Sequence, residues 1–217
     1  MTDYQTRRKI MVDTQIRPSD VTKFPIIEAF LSVPREKFVP DGKREAAYIG
    51  ENFKIGQSRV ILEPRTLAKL LDALDIRNDE LVLDIGPGLG YSSAVISPMA
   101  EVVIAVEDDS SMANEAEEIL TEVGADNVVI QIGKLEDGAP EHGPYDVIIL
   151  QGGVEKIPSS IVNQLKNGGR VGAIFVEEGL GTAKIGFKLN DKINWRYSFN
   201  AAAPVLPGFF KQKDFVL

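Results

Sequence analysis

The chain has 217 residues, 44% hydrophobic and 26% charged, with a formal net charge of −8, no cysteine and a single histidine, His142. This length and balance predict one globular unit with a substantial core, and they exclude a disulfide framework, a thiol nucleophile, thiolate metal sites and a histidine-rich metal site. The negative charge argues against nucleic-acid binding, and the lack of any apolar run near ~18 residues or of an apolar segment behind the N-terminal charges predicts a cytoplasmic protein with no membrane partner.

Residues 1–60 hold two helical patterns and several loops but no βαβ unit. They are expected to form a helical cap on a core of residues 61–217, the whole making one compact unit. Val21 to Leu31 carries an apolar stripe at Val21, Phe24, Ile27 and Leu31, with Ser19 or Asp20 available as a cap. Val33 to Pro40 is framed by prolines and reads as a connector. The basic residues Arg7, Arg8, Lys9, Arg35, Lys37, Lys43 and Arg44 read as solvated faces. Arg65 to Leu74 repeats Leu67, Leu70, Leu71 and Leu74 at helical spacing behind Pro64.

From Leu81 strands and helices alternate, which requires right-handed crossovers and a parallel sheet. Strands are expected at Leu81 to Ile85, Val102 to Val106, Asn127 to Ile132, Tyr145 to Leu150 and Arg170 to Val176. Helices are expected from Tyr91 to Met99, from a Ser110 cap to Val123, and from Pro158 to Gly168-Gly169. Lys184 to Leu189, Trp195 to Phe199 and Lys213 to Leu217 lack intervening helices and read as an antiparallel edge. His142 and the pair Glu177-Glu178 read as turn residues, and Trp195 as packing.

The first of these strands carries the chemistry. It breaks into Gly86-Pro87-Gly88-Leu89-Gly90 and then opens a helix at Tyr91. The glycines remove side chains that would keep a ligand from the backbone, and the helix N-terminus offers N–H donors. The dinucleotide fingerprint places its third glycine one position later. Here G-x-G-x-G follows Asp84 at the strand end, the form found in S-adenosylmethionine (SAM) sites. SAM carries an ammonium and a sulfonium but no pyrophosphate, so a carboxylate there is useful. Glu107, 21 residues beyond Gly86, ends the next strand where an acid can take both ribose hydroxyls. Asp84, Gly86, Gly88, Gly90 and Glu107 are therefore the cofactor candidates.

Further residues carry a resemblance over nearly the whole chain. They include Gln15-Ile16-Arg17, Val33-Pro34-Arg35-Glu36 with Phe38-Val39-Pro40, Ala46-Ala47-Tyr48, Asp84 to Tyr91, Pro144-Tyr145-Asp146 and Gly168-Gly169-Arg170. With these the chain resembles the protein-L-isoaspartate O-methyltransferases. The resemblance implies a doubly wound α/β fold of the Rossmann-like, SAM-dependent methyltransferase type, mostly parallel, with the N-terminal cap and the antiparallel edge. It also implies SAM as cofactor and a protein, peptide or small-molecule methyl acceptor.

Two departures fall on working parts. The family's Gly-Gln-Thr-Ile-Ser-x-Pro supplies hydroxyls to the acceptor carboxylate. Against it, Ser58 to Pro64 puts Val60 at the threonine and Leu62 at the serine, with Arg59 beside them as a substitute carboxylate ligand. The family's Gly-Asp-Gly, whose acid receives the adenine amino group, is Gly133-Lys134-Leu135 here. Lysine cannot accept that bond, which leaves backbone groups and the apolar Leu135 to hold adenine. Gln151 stands at the fourth strand's end, as a polar group at the pocket mouth. Three readings stay open: carboxyl methylation of damaged aspartyl residues, methylation of a more apolar acceptor, and a SAM-binding or interaction module that has lost catalysis. A nicotinamide-dependent oxidoreductase is set back by the glycine spacing.

Overall fold

The computed structural model describes residues 3–190 and 192–211. In chain order the elements are α1 (Tyr4–Met11), α2 (Phe24–Ser32), the short strands β1 (Phe53–Lys54) and β2 (Val60–Ile61), α3 (Pro64–Leu74), β3 (Leu81–Ile85), α4 (Tyr91–Ile96), β4 (Val102–Glu107), α5 (Ser110–Val123), β5 (Val128–Ile132), β6 (Tyr145–Val154), α6 (Ser159–Asn163), β7 (Leu165–Glu177), β8 (Leu180–Leu189) and β9 (Lys192–Asn200). β1 and β2 pair as a small antiparallel hairpin. The other seven strands form one sheet in the order β5-β4-β3-β6-β7-β8-β9. Pairing is parallel from β5 to β7 and antiparallel from β7 to β9. Among the described residues no helix is long and apolar enough to cross a membrane.

The central strands bury both faces, and their alternation builds two cores. Val82, Val103, Val147 and Ile149 face a core that takes in Met11, Ile16 and Phe30 from the N-terminal segment, Leu67 and Leu71 of α3, and Leu120 of α5. Leu83, Ile104, Ile148 and Leu150 face a second core closed by Leu135, Ile161 of α6, Leu206 and Phe209. One face is thus covered by helices, the other largely by loops and the C-terminal segment. The chain steps outward from β3 to β5 and returns to β6 on the other side of β3. In an open α/β sheet such a reversal leaves a crevice at the carboxyl ends of the strands.

Several local expectations shift. The second helix begins at Phe24, with Lys23 in the cap position and Pro25 in its first turn, so neither Ser19 nor Asp20 caps it. Asp20 instead closes the preceding turn in a left-handed conformation, φ 65°. Asp109, not Ser110, caps α5, its carboxylate accepting from Ser111 N at 2.9 Å and Met112 N at 3.1 Å. The helix expected from Pro158 to Gly168 ends at Asn163 and passes straight into β7. Gln164 caps its end through its backbone N–H, and Lys188 Nζ donates to the carbonyls of Val162 (3.1 Å) and Leu165 (2.8 Å). Pro98 turns the end of α4 into a tighter turn, Ser97–Met99.

The proline-framed connector folds as a turn, Arg35–Phe38, and Arg35 within it is fully buried rather than solvated. Trp195 packs edge-on against Phe175, ring centroids 4.7 Å apart. Of the stretch Lys213 to Leu217 nothing is described.

Candidate functional site

The site is assembled at the carboxyl ends of β3, β4 and β6. After Ile85 the chain turns sharply, with Gly88 at φ 61° and Gly90 at φ 90°, backbone angles at which any side chain is strained. The turn is pinned from below by Asp84. Its Oδ2 accepts from Ser92 Oγ (2.6 Å) and Ser93 Oγ (2.7 Å) in the first turn of α4, and its Oδ1 from Gln151 Nε2 (2.7 Å). Gln151 therefore lies beneath the turn, nearly fully buried, and not at the pocket mouth.

Burial pushes the Asp84 carboxyl up from its ordinary range, against the pull of Ser92, Ser93 and Gln151. A carboxyl whose folded pKa exceeds its unfolded one adds stability at low pH and loses it as pH rises through the raised value. Asp84→Asn keeps the shape and removes the ionisation. Its melting temperature is expected to fall less than the wild type's as pH is raised above about 4, the range of the unfolded carboxyl. Parallel melting curves for the two proteins would contradict this assignment.

Glu107 lies at the end of β4 with no exposed surface. Its Oε2 accepts from Gly88 N at 2.8 Å, which ties the acid directly to the glycine turn. Its Oε1 accepts from Asp108 N and Asp109 N, both at 3.1 Å. Burial pushes this carboxyl up, and the Arg59 guanidinium pulls against that. Arg59 stands in the turn between β1 and β2, where its carbonyl closes the hairpin by accepting from Ile55 N and Gly56 N. Its side chain reaches Glu107 with both terminal nitrogens, Nη1 to Oε1 at 2.7 Å and Nη2 to Oε2, and Nη1 also meets Asp108. Arg59 thus binds a carboxylate, but one of the chain's own.

The remaining candidates separate. Leu135 is buried beside the turn, while Lys134 is exposed. Val60 is half-buried in the hairpin opposite Lys54. Leu62 is buried in the first core, and its carbonyl accepts from Arg35 Nη2 at 2.9 Å, so its side chain is a packing group. Two residues that sequence reasoning passed over join the site. A Cβ built on Gly88 would stand 2.2 Å from Ile55 Cδ1, and one built on Gly86 would stand 3.1 Å from Arg59 Nη2 and 3.4 Å from Leu206 Cδ2. Leu206 belongs to a segment that binds the end of β6, where Gly153 N donates to the Pro204 carbonyl at 2.8 Å and Leu206 N to the Gly153 carbonyl at 2.9 Å. Glycine is required at Gly153, since a Cβ would lie 2.7 Å from the Ala203 carbonyl oxygen. The one signal for this segment was its framing by Pro204 and Pro207.

The donor set fits a nucleoside with a ribose diol and a cationic tail: a carboxylate at each of two strand ends, and bare backbone between them. The space does not fit one in this conformation, because Ile55, Arg59 and Leu206 lie against the turn.

The model of the family described as protein-L-isoaspartate(D-aspartate) O-methyltransferase (PCMT) matches residues 6–195. A protein-L-isoaspartate O-methyltransferase of Syntrophus aciditrophicus is 39% identical over 171 residues, 79% of this chain and 78% of the relative. One of Gloeobacter violaceus is 36% identical over 161 residues, 74% of this chain and 78% of the relative. Among solved structures, a protein-L-isoaspartate O-methyltransferase superposes with a TM-score of 0.80 at 25% identity, covering 95% of this chain and 66% of that one. A Plasmodium falciparum protein of the same description, in complex with S-adenosyl-L-homocysteine, superposes at 0.78 with 19% identity, covering 95% and 99%, and speaks for the fold alone. The chain belongs to the protein-L-isoaspartate O-methyltransferase family, enzymes that methylate with SAM.

Proposed function

We propose that this chain is a SAM-dependent carboxyl O-methyltransferase with a reduced capacity for isoaspartyl acceptors. The observation that carries the reading is Glu107, a buried carboxylate joined to the glycine turn through Gly88 N, where a ribose diol would be held. Asp84, held by Ser92, Ser93 and Gln151, fixes the turn and adds negative potential near a cationic ligand. Leu135 offers an apolar surface to adenine, and Lys134 offers it no acceptor. Bound there, SAM supplies an electrophilic methyl group. A carboxylate acceptor is already nucleophilic, so the chain needs no general base; its work is alignment and the exclusion of water. That accounts for the lack of a nucleophile and base constellation around Asp84 and Glu107.

The acceptor side is weaker. Val60 brings methyl groups from the hairpin where the family brings a hydroxyl, and Leu62, at the second hydroxyl position, is turned into the core, which favours a more apolar acceptor. The filled space over the turn favours a second reading, an interaction module of the same fold without catalysis. Transfer of labelled methyl from SAM to a mixed peptide and small-acid panel separates them. Base-labile ester on any member supports the first reading. A protein that transfers nothing, even to acceptors at millimolar concentration, has the second.

A further inference from the structure

The cleft is closed from two sides by residues distant in the chain. Glu107 already accepts five hydrogen bonds, from both terminal nitrogens of Arg59 and the amides of Gly88, Asp108 and Asp109. A carboxylate offers about four lone-pair sites, so none is left for a ribose hydroxyl. The guanidinium presents two parallel donors to two oxygens, the pattern a vicinal diol would present. Beside it, Ile55 covers Gly88 and Leu206 covers Gly86, so the contacts a nucleoside would make with the bare turn are made by this chain. Leu206 is fully buried and held by its N–H donating to the Gly153 carbonyl, with Gly153 N donating to the neighbouring Pro204 carbonyl, while Phe209 O accepts from Glu155 N (2.9 Å) and Lys156 N (3.1 Å). Arg59 is itself only 6% exposed, and its Nε is buried without a partner. It is held there by Glu107 and Asp108.

We propose that Arg59, with Ile55 and Leu206, forms an internal plug that takes the place of the nucleoside, and that the ligand-free chain is thereby held closed to SAM. The inference rests on the reading of Glu107 as the ribose ligand. It makes Arg59 a positioning residue whose removal raises cofactor affinity, the opposite of what removing a cofactor ligand does. Since SAM binding requires the plug to leave, the measured affinity is reduced by the fraction of molecules that are open.

The test is calorimetric titration of S-adenosylhomocysteine into the full-length wild type, Arg59→Gln, Ile55→Ala and the double variant. Circular dichroism confirms each fold, and a melting temperature is taken with and without ligand as a second readout. Ile55→Ala leaves the ion pair intact and keeps the test open if Arg59→Gln folds poorly. The expected result is at least about tenfold tighter binding in Arg59→Gln, a smaller gain in Ile55→Ala, and a ligand-induced rise in melting temperature larger than the wild type's. Micromolar binding by the wild type, with no gain in either variant, would overturn the plug and leave the methyltransferase reading in place. If no protein in the set binds at millimolar ligand while all remain folded, the cofactor reading itself fails, and the plug with it.

Discussion

On an isoaspartyl peptide the wild-type chain is expected to turn over about 10²–10³-fold more slowly than the Syntrophus aciditrophicus relative assayed beside it, the loss typical of removing a well-placed donor from a catalytic pocket. The structure sharpens the reason. Val60 presents methyl groups from the hairpin, Leu62 is buried in the core, and Arg59, the substitute donor, is engaged with Glu107 and Asp108. Restoring the family's hydroxyls is therefore not symmetric. Val60→Thr sits on a half-buried strand position and is expected to fold normally and raise turnover by up to about 10²-fold, the gain that one well-placed donor supplies. Leu62→Ser deletes a buried side chain and buries a hydroxyl in its place, so it is expected to lose about 2–4 kcal/mol of stability and give no catalytic gain. Steady-state rates and urea titrations on the three proteins check both expectations. Wild-type turnover equal to the relative's would refute the account of the acceptor side.

The second large effect lies away from the cleft. Arg35 is fully buried, donates from Nε to the Ala47 carbonyl (2.8 Å) and from Nη2 to the Leu62 carbonyl (2.9 Å), and stacks 4.6 Å over the Tyr91 ring. It joins the Arg35–Phe38 turn to the loop before β1, the segment after β2, and α4. Burial lowers its pKa from the ordinary arginine value. Arg35→Ala strands two buried carbonyls and opens a cavity, so a loss of about 3–5 kcal/mol is expected, at the high end of single-residue effects. Arg35→Lys keeps charge but cannot span both carbonyls, and is expected to recover less than half of that loss. Equilibrium urea unfolding measures it, and a change below about 1 kcal/mol for Arg35→Ala would show that the residue is not the tie described here.

What was legible from the residues alone was whatever one element encodes within itself. The alternation of apolar runs and helical stripes dictates the parallel sheet, and Asp84 with its glycines dictates the turn at the end of β3. Glu107 was legible because strand length and spacing place it at the next strand end. Arg59 was legible as a carboxylate ligand but its partner was not, because Glu107 lies 48 residues away and only the packing of the β1-β2 hairpin over the end of β4 brings the two together. Leu206 escaped for the same reason: a leucine between prolines shows no periodicity, and its burial depends on β6 passing beneath it. Arg35 was misjudged because a lone basic residue beside Lys37 gives no hint of two carbonyls waiting inside. The helix after Pro158 is shorter than its sequence suggests because Gln164 folds back on it, its Nε2 donating to the Ser160 carbonyl, and Lys188 of β8 takes the Val162 carbonyl, a contact no local pattern signals.

The most direct measurement is a crystal structure of the Arg59→Gln protein grown with S-adenosylhomocysteine. The account predicts the ribose hydroxyls on the two oxygens of Glu107, with the nucleoside over Gly86 and Gly88 and Ile55 and Leu206 moved aside. A cleft still closed over an unengaged Glu107, or a ligand bound elsewhere on the sheet, would contradict it.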